Sequence, residues 1–127
     1  MNLLIRPERP TDPAAIESVT VAAFLHAPHT DHNEQCIVAA LRAAQALSIS
    51  LVAEVDAAVV GHVAVSPVSI AGDSVGWFGL GPVSVVPALQ GKGIGSKLVR
   101  QALGMLKEQG ASGCVVLGDP LYYTARC

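Results

Sequence analysis

Charge and aromatic side chains are scarce in this chain: 14% of its 127 residues are charged and 4% aromatic, against 51% hydrophobic. So apolar a composition excludes a disordered polyelectrolyte, which combines low hydrophobicity with high net charge. The formal net charge of -2 lacks the basic excess with which a general nucleic-acid binder neutralises phosphates. The three cysteines, Cys36, Cys114 and Cys127, are odd in number and share no metal-ligand spacing. They carry no metal-site signature, and a reducing cytoplasm is the expected setting. The N-terminus MNLLIRPERP has no apolar signal-peptide core. The most apolar stretch, 47–70, is interrupted by Glu54, Asp56, His62 and Pro67, so a membrane span is not expected. The length suits one compact core, and residues 1–127 are read as a single domain.

A second scarcity is local. No acidic residue lies between Ser74 and Lys107, a stretch that holds Lys92, Lys97, Arg100 and Lys107. A positive segment in a mildly acidic protein suits a small anionic ligand better than a long polyanion.

Residues 3–6 read as a short strand. Asp12 is a candidate helix cap with Pro13 in the first turn, and Ile16, Val19, Thr20 and Ala23 recur at helical spacing over 13–24. A polar loop, HAPHTDHN, precedes a second helix over 34–46 with Ile37, Leu41 and Ala44 on its inner face. Three extended runs follow at 50–55, 58–69 and 74–86, broken tightly enough to form an antiparallel meander. The helical period returns over 93–109, with Ile94, Leu98, Ala102 and Met105 or Leu106 on one stripe and Gly110 as the stop. GCVVLG, 113–118, is then a buried strand, expected to run parallel to the one ending at Val86. The fold class is α/β, with an α+β mixed sheet: an antiparallel meander, then a βαβ crossover.

The junction between the meander and the last helix reads VSVVPALQGKGIGSKLV. A strand that delivers a glycine-rich turn into a helix start gathers unpaired backbone N–H groups at the positive end of the helix dipole, which makes an anion site. Ser96 and Lys92 add a hydroxyl and a positive charge. The phosphate loop of nucleotide hydrolases is excluded, because no Gly-Lys pair is followed by Ser or Thr. The dinucleotide fingerprint fails too, since Gly91, Gly93 and Gly95 alternate.

The pattern that fits is QxxGxG, from Gln90 through Gly91, Lys92, Gly93 and Ile94 to Gly95, directly after a strand ending VSVVP. In this loop, and in the flanking LGPVSVVP and GCVVLGDP, the chain resembles the GCN5-related N-acetyltransferase family, and a bacterial subgroup of it in particular. The resemblance runs from Ile5 to Tyr123. It implies an acetyl-coenzyme A-dependent N-acetyltransferase, with pyrophosphate at Gln90, Gly91, Lys92, Gly93, Ile94, Gly95 and Ser96. It implies pantetheine along Val83, Ser84 and Val85, and an oxyanion donor in the backbone near Val85. Alignment from Gly-Asp-Pro puts Tyr123 at the family's acid for the departing thiolate, and a phenol's pKa near that of a thiol suits the role. Packing at a helix start is the other reading of Tyr122 and Tyr123.

The acceptor side is less defined. Relatives carry a glutamate on the strand before the loop, but 76–86 holds no carboxylate. Glu34, His62 and Asp73 are candidate substitutes, each equally readable as a surface or internally paired polar group. His26, His29 and His32 fit neither an HExxH nor a ribbon spacing, so no metal is expected and these residues read as acceptor contacts or solvated side chains. Family members continue past this tyrosine with two further strands, where this sequence reads TARC. The domain is therefore expected to be shortened at its C-terminus, with an apolar edge that a second copy covers as a homodimer. The expected acceptor is a small-molecule or peptide amine, with neither nucleic acid nor membrane as partner. The alternative is a catalytically impaired coenzyme A-binding or regulatory module of the same fold, and a third reading is a partner-binding domain without cofactor.

Overall fold

A computed structural model describes residues 2–25, 34–68 and 76–116. The elements are β1 (Leu3–Pro7), α1 (Pro13–Phe24), α2 (Glu34–Ala43), β2 (Ile49–Val55), β3 (Ala58–Pro67), β4 (Trp77–Val85), a single 3-10 turn at Pro87–Leu89, α3 (Ile94–Glu108) and β5 (Gly113–Val116). The five strands lie side by side in chain order. All neighbours are antiparallel except β4 and β5, which run parallel because α3 carries the chain back between them.

Strand alternation divides the core into two faces. Leu51, Ala53, Val63, Val65 and Leu80 point to one face, where α3 buries Ile94, Leu98, Ala102 and Leu106. Each fully buried Leu or Ile there contributes about 1.5–3 kcal/mol of apolar transfer. On β3 the contact is close at Gly61, where a Cβ would lie 3.1 Å from the Ser84 carbonyl and 3.2 Å from Leu98 Cδ1. Helices α1 and α2 cover the opposite face, placing Ile16 and Val38 against Val52 and Ala64.

Helix ends follow local rules, with two departures from the sequence reading. Pro13 begins α1 as expected, but Asp12 makes no side-chain cap bond. Its buried carboxylate is instead gripped by Arg6, at 2.7 and 3.2 Å, and by the Arg9 backbone N–H at 2.6 Å. The α2 helix stops at Ala43 rather than 46, because Gln45 turns to a left-handed φ of 56°. Gln45 and Ala46 then donate to the Arg42 and Leu41 carbonyls, an ending more often signalled by glycine. Ile37 and Val38 are buried, whereas Ala44 is exposed. Gly110, at φ 76°, closes α3 as the sequence indicated: its N–H reaches the Lys107 carbonyl and that of Ala111 reaches Leu106.

In β4 the register against β3 shifts between the Val63–Val83 and Val65–Leu80 pairs, so β4 carries one extra residue there. Gly81 sits in this bulge at φ 143°. A bulge increases local twist and bends its strand, here just before the glycine loop.

Candidate donor site at the end of β4

The parallel pairing of β4 with β5 runs from Trp77–Gly113 to Leu80–Val116, while β4 itself continues to Val85. The second half of β4 thus lies past the last described partner on that side. The direction of its peptide groups follows from one bond. Val86 donates its N–H to the Val60 carbonyl at 2.9 Å, which turns Val86 toward β3. Antiparallel alternation then directs Ser84 toward β3 as well and turns Val83 and Val85 outward. Both outward residues present an N–H and a C=O along an edge that has no partner among the described residues. The Val85 carbonyl accepts a hydrogen bond from Gln90 Nε2 at 2.9 Å, so the loop folds back over the strand end.

The loop itself is built around left-handed turns. Gly91 and Gly93 have φ of 80° and 85°, conformations costly for any residue with a Cβ. A Cβ at either position would meet no described heavy atom within 4 Å, so their open side faces free space. At Gly95 it would make ordinary contacts at 3.8 Å with Val83 and Val85. Gly93 is the N-cap of α3 and brings no capping side chain, and the first helical bond is Lys97 N–H to Gly93 O at 3.1 Å. The N–H groups of Ile94, Gly95 and Ser96 therefore precede that ladder, at the positive end of a 15-residue dipole with no acid in its first turn. Lys92, Ser96 and Lys97 are exposed around them. Donors, positive charge and open space beside Gly91 and Gly93 fit a diphosphate, and the outward peptide groups of Val83 and Val85 fit an amide-bearing chain leading away from it.

This geometry can be set beside known proteins. Residues 9–120 match the family model described as Acetyltransferase (GNAT) family. The chain belongs to the GNAT acetyltransferase family. Among GNAT relatives, it is 36% identical over 123 residues to a protein of Escherichia coli (strain K12) named uncharacterized N-acetyltransferase YhbS, covering 96% of this chain and 71% of that one. A GNAT family acetyltransferase from Brucella melitensis, solved in complex with acetyl-CoA, has a TM-score of 0.89 and 56% identity over 96% of this chain and 79% of its own. YhbS from Escherichia coli, solved in complex with CoA, gives 0.84 and 34% over 98% and 67%. The mixed five-stranded sheet with three helices is thus the GNAT architecture, as the loop and element order implied.

Of the residues singled out in the sequence, Val83, Val85 and Gln90 to Ser96 form one strip, joined by the Gln90–Val85 bond and the approach of Gly95 to both valines, although the Ile94 side chain is buried in the core and only its backbone belongs to the strip. Ser84 departs from it, with its peptide toward β3 and its side chain buried at 1% exposure. Tyr122, Tyr123, Asp73, His26, His29 and His32 lie outside the described residues. Glu34 begins α2 and lines a cavity of about 260 Å³ with Val21, Phe24, Leu25 and Gln35. Among the described residues no cluster of His, Cys, Asp or Glu is able to hold a metal, and no helix is long and apolar enough to cross a membrane.

His62, the remaining candidate base, is completely buried on β3, with Nε2 2.7 Å from Ser50 Oγ. Ser50 Oγ also donates to Glu8 Oε1 at 2.8 Å, and Glu8 is paired with Arg42 at 2.5 Å. Burial pushes His62 down to about 4, against the smaller upward pull of Glu8, so the ring is neutral at pH 7. Burial alone would raise the Glu8 carboxyl, but hydrogen bonds from Arg42 and Ser50 prevail and hold it below its ordinary range. The sequence reading missed this linkage. Its signal was there in Ser50 and His62, polar residues inside otherwise apolar strands, but their pairing depends on strand register.

Proposed function

We propose that this chain is an acetyl-coenzyme A-dependent N-acetyltransferase in which an amine attacks the donor directly within a ternary complex, and that residues 1–127 act as one domain. The observation that carries the reading is the convergence of the Gln90 to Ser96 loop and the outward peptides of Val83 and Val85 on one open edge. GNAT proteins similar to this one bind acetyl-CoA or CoA in their crystal structures, which supports the same ligand here. The bound cofactor supplies an acetyl group activated as a thioester.

The chain's own groups divide the remaining work. The N–H groups from Gly91 to Ser96, with Lys92, bind the pyrophosphate, and Val83 and Val85 hold the pantetheine arm by backbone pairing. The backbone near Val85 donates to the developing oxyanion, a contribution usually among the largest in acyl transfer. Tyr123 is assigned the proton for the departing thiolate. The acceptor is an amine of a small molecule or peptide. Strand β5, at the edge of the sheet among the described residues, is a candidate seam for a homodimer, which light scattering at micromolar concentration tests.

Calorimetric titration with acetyl-coenzyme A tests the donor site. A ligand at 100 times its dissociation constant stabilises the native state by about 2.7 kcal/mol, so a raised melting temperature accompanies binding. Gly93→Ala adds a methyl that touches no described residue, and it is expected to weaken cofactor affinity at least tenfold. Absence of binding by the unaltered chain would sink the proposal. Binding without thiol release across a panel of amines would favour the coenzyme A-binding module instead, a reading that the carboxylate-free β4 keeps in view.

A further inference from the structure

Helix α1 crosses the sheet toward the outward edge of β4. Ile16 packs with Val52 of β2 and Ala64 of β3. One turn further on, Thr20 Oγ1 accepts a contact of 3.4 Å from the Ser84 hydroxyl of β4. Four residues advance a helix by about 6 Å, a little more than one strand spacing of about 4.8 Å. A further turn in the same direction carries Phe24, the last residue of α1, past Ser84 to the side on which Val83 and Val85 turn outward. There β4 has no partner among the described residues. The glycine loop lies with α3 on the opposite face of the sheet, so the end of α1 and the loop flank one edge from two sides.

The cavity of about 260 Å³ opens at this end of α1, against the start of α2. Val21, Phe24 and Leu25 make its apolar wall, and Glu34 and Gln35 bring one acid and one amide. Val21 and Leu25 are 40% and 56% exposed and stand one helical turn apart, so two large apolar side chains meet water at the same mouth. Singly scattered apolar groups are ordinary on a surface, whereas a pair rimmed by polar groups marks a binding face. Among the described residues no Lys, Arg or His lines this cavity. Arg42 lines a neighbouring cavity that shares Gln35, and it is already paired with Glu8. The volume lies below the roughly 300–1,000 Å³ of drug-sized sites, which restricts the occupant to a small molecule.

We propose that this cavity receives the acceptor, and that the acceptor is a small apolar amine carrying no acid group: its hydrocarbon body lies against Val21, Phe24 and Leu25, and Glu34 receives its ammonium. An acidic side chain beside apolar walls attracts a cation more strongly than it does in open water, because its surroundings screen less. A phosphate or carboxylate on the acceptor would meet Glu34 with no cation beside it, and like charges brought together disfavour the complex. A polyhydroxylated amine would press hydroxyls against walls that offer them few partners. The occupant is an acceptor only where the neighbouring edge holds acetyl-coenzyme A, so the assignment rests on the acetyltransferase reading and narrows its substrate class.

Two calorimetric titrations test the place and the class. Coenzyme A joined through its sulfur to the acetyl carbon of N-acetyl-2-phenylethylamine spans both sites, and it is expected to bind at least tenfold more tightly than coenzyme A itself. Leu25→Ser changes a half-exposed side chain and should abolish that gain while coenzyme A affinity stays within twofold. Equal binding of the conjugate and coenzyme A overturns the proposal alone; a parent chain that binds neither overturns the donor reading, and the acceptor assignment falls with it. For the class, 2-phenylethylamine is expected to bind the coenzyme A-loaded protein at least tenfold more tightly than L-phenylalanine, which adds a carboxylate, or 2-phenylethanol, which lacks the ammonium. In Glu34→Gln the preference over 2-phenylethanol should fall to within twofold, with 2-phenylethanol itself bound as before. No binding of the amine, equal binding of L-phenylalanine, or a preference that survives Glu34→Gln overturns the proposal.

Discussion

The two faces of the sheet are built from opposite materials. The face under α3 is an all-apolar cluster running from Leu51 and Val63 to Leu98 and Leu106. The face under α1 and α2 holds Arg6, His62 and Ser84 beside Val52 and Ala64, with Thr20 on α1 and Asp12 at its start. The first face makes a stiff platform for the helix whose N-terminus carries the glycine loop. The second face keeps fixed charges and oriented hydroxyls in a medium where each unpaired group is costly. One face thus relies on close packing and the other on buried hydrogen bonds.

The comparison breaks most visibly at the ion pair. Arg6 reaches Asp12 at 2.7 Å and Glu54 at 2.5 Å, and its hydrogen bond to Asp12 leads the causes that raise it. Asp12 is correspondingly lowered, first by that bond from Arg6. Removing Asp12 leaves the buried Arg6 guanidinium with Glu54 as its remaining carboxylate partner and the Arg9 N–H without its acceptor, so Asp12→Ala should cost about 3–5 kcal/mol in urea unfolding. Next in size is Leu98→Ala on the apolar face, for which the urea midpoint should fall by the equivalent of about 2–4 kcal/mol. Acetyl-coenzyme A affinity distinguishes the two: Leu98→Ala loosens the helix under the loop and weakens binding, whereas Asp12→Ala leaves it near that of the parent wherever the protein is folded.

The smallest effect is a slope with pH. His62 is depressed to about 4 from 6.5, so between these values the unfolded chain binds more protons than the folded one. Stability is therefore full above about pH 6.5 and declines as pH falls toward 4, by at most about 1.4 kcal/mol per pH unit from this group. Glu8 and Asp12, both lowered, add their loss at still lower pH, as acid reaches their folded values. Denaturation midpoints of His62→Gln measured from pH 7 to pH 4 should be flatter than those of the parent. A parallel decline would show that the acid limb belongs to the carboxylates alone.

The apolar face was the more legible in sequence. Ile94, Leu98, Ala102 and Leu106 recur at helical spacing, and the glycine loop announces itself by residue type alone, so α3 and the loop at its start were legible without coordinates. Asp12 misled, because a carboxylate before a Pro-started helix satisfies the capping rule whether it caps or pairs with Arg6. Nothing local distinguishes the two, since the competing bond comes from β1. The end of α2 was missed because Gln45, not glycine, adopts the left-handed turn. The Glu8, Ser50 and His62 linkage joins residues 42 and 12 positions apart, and only register brings them together.

The bond from Gln90 to the Val85 carbonyl bears on when order is acquired. A glycine-rich loop left free would lose its conformational entropy at the moment of ligand capture, and affinity would fall by that amount. Here the side-chain amide ties the loop to the strand end through a bond of the chain's own. That part of the loss of freedom belongs to folding, so a ligand of this loop would meet a turn already held in place.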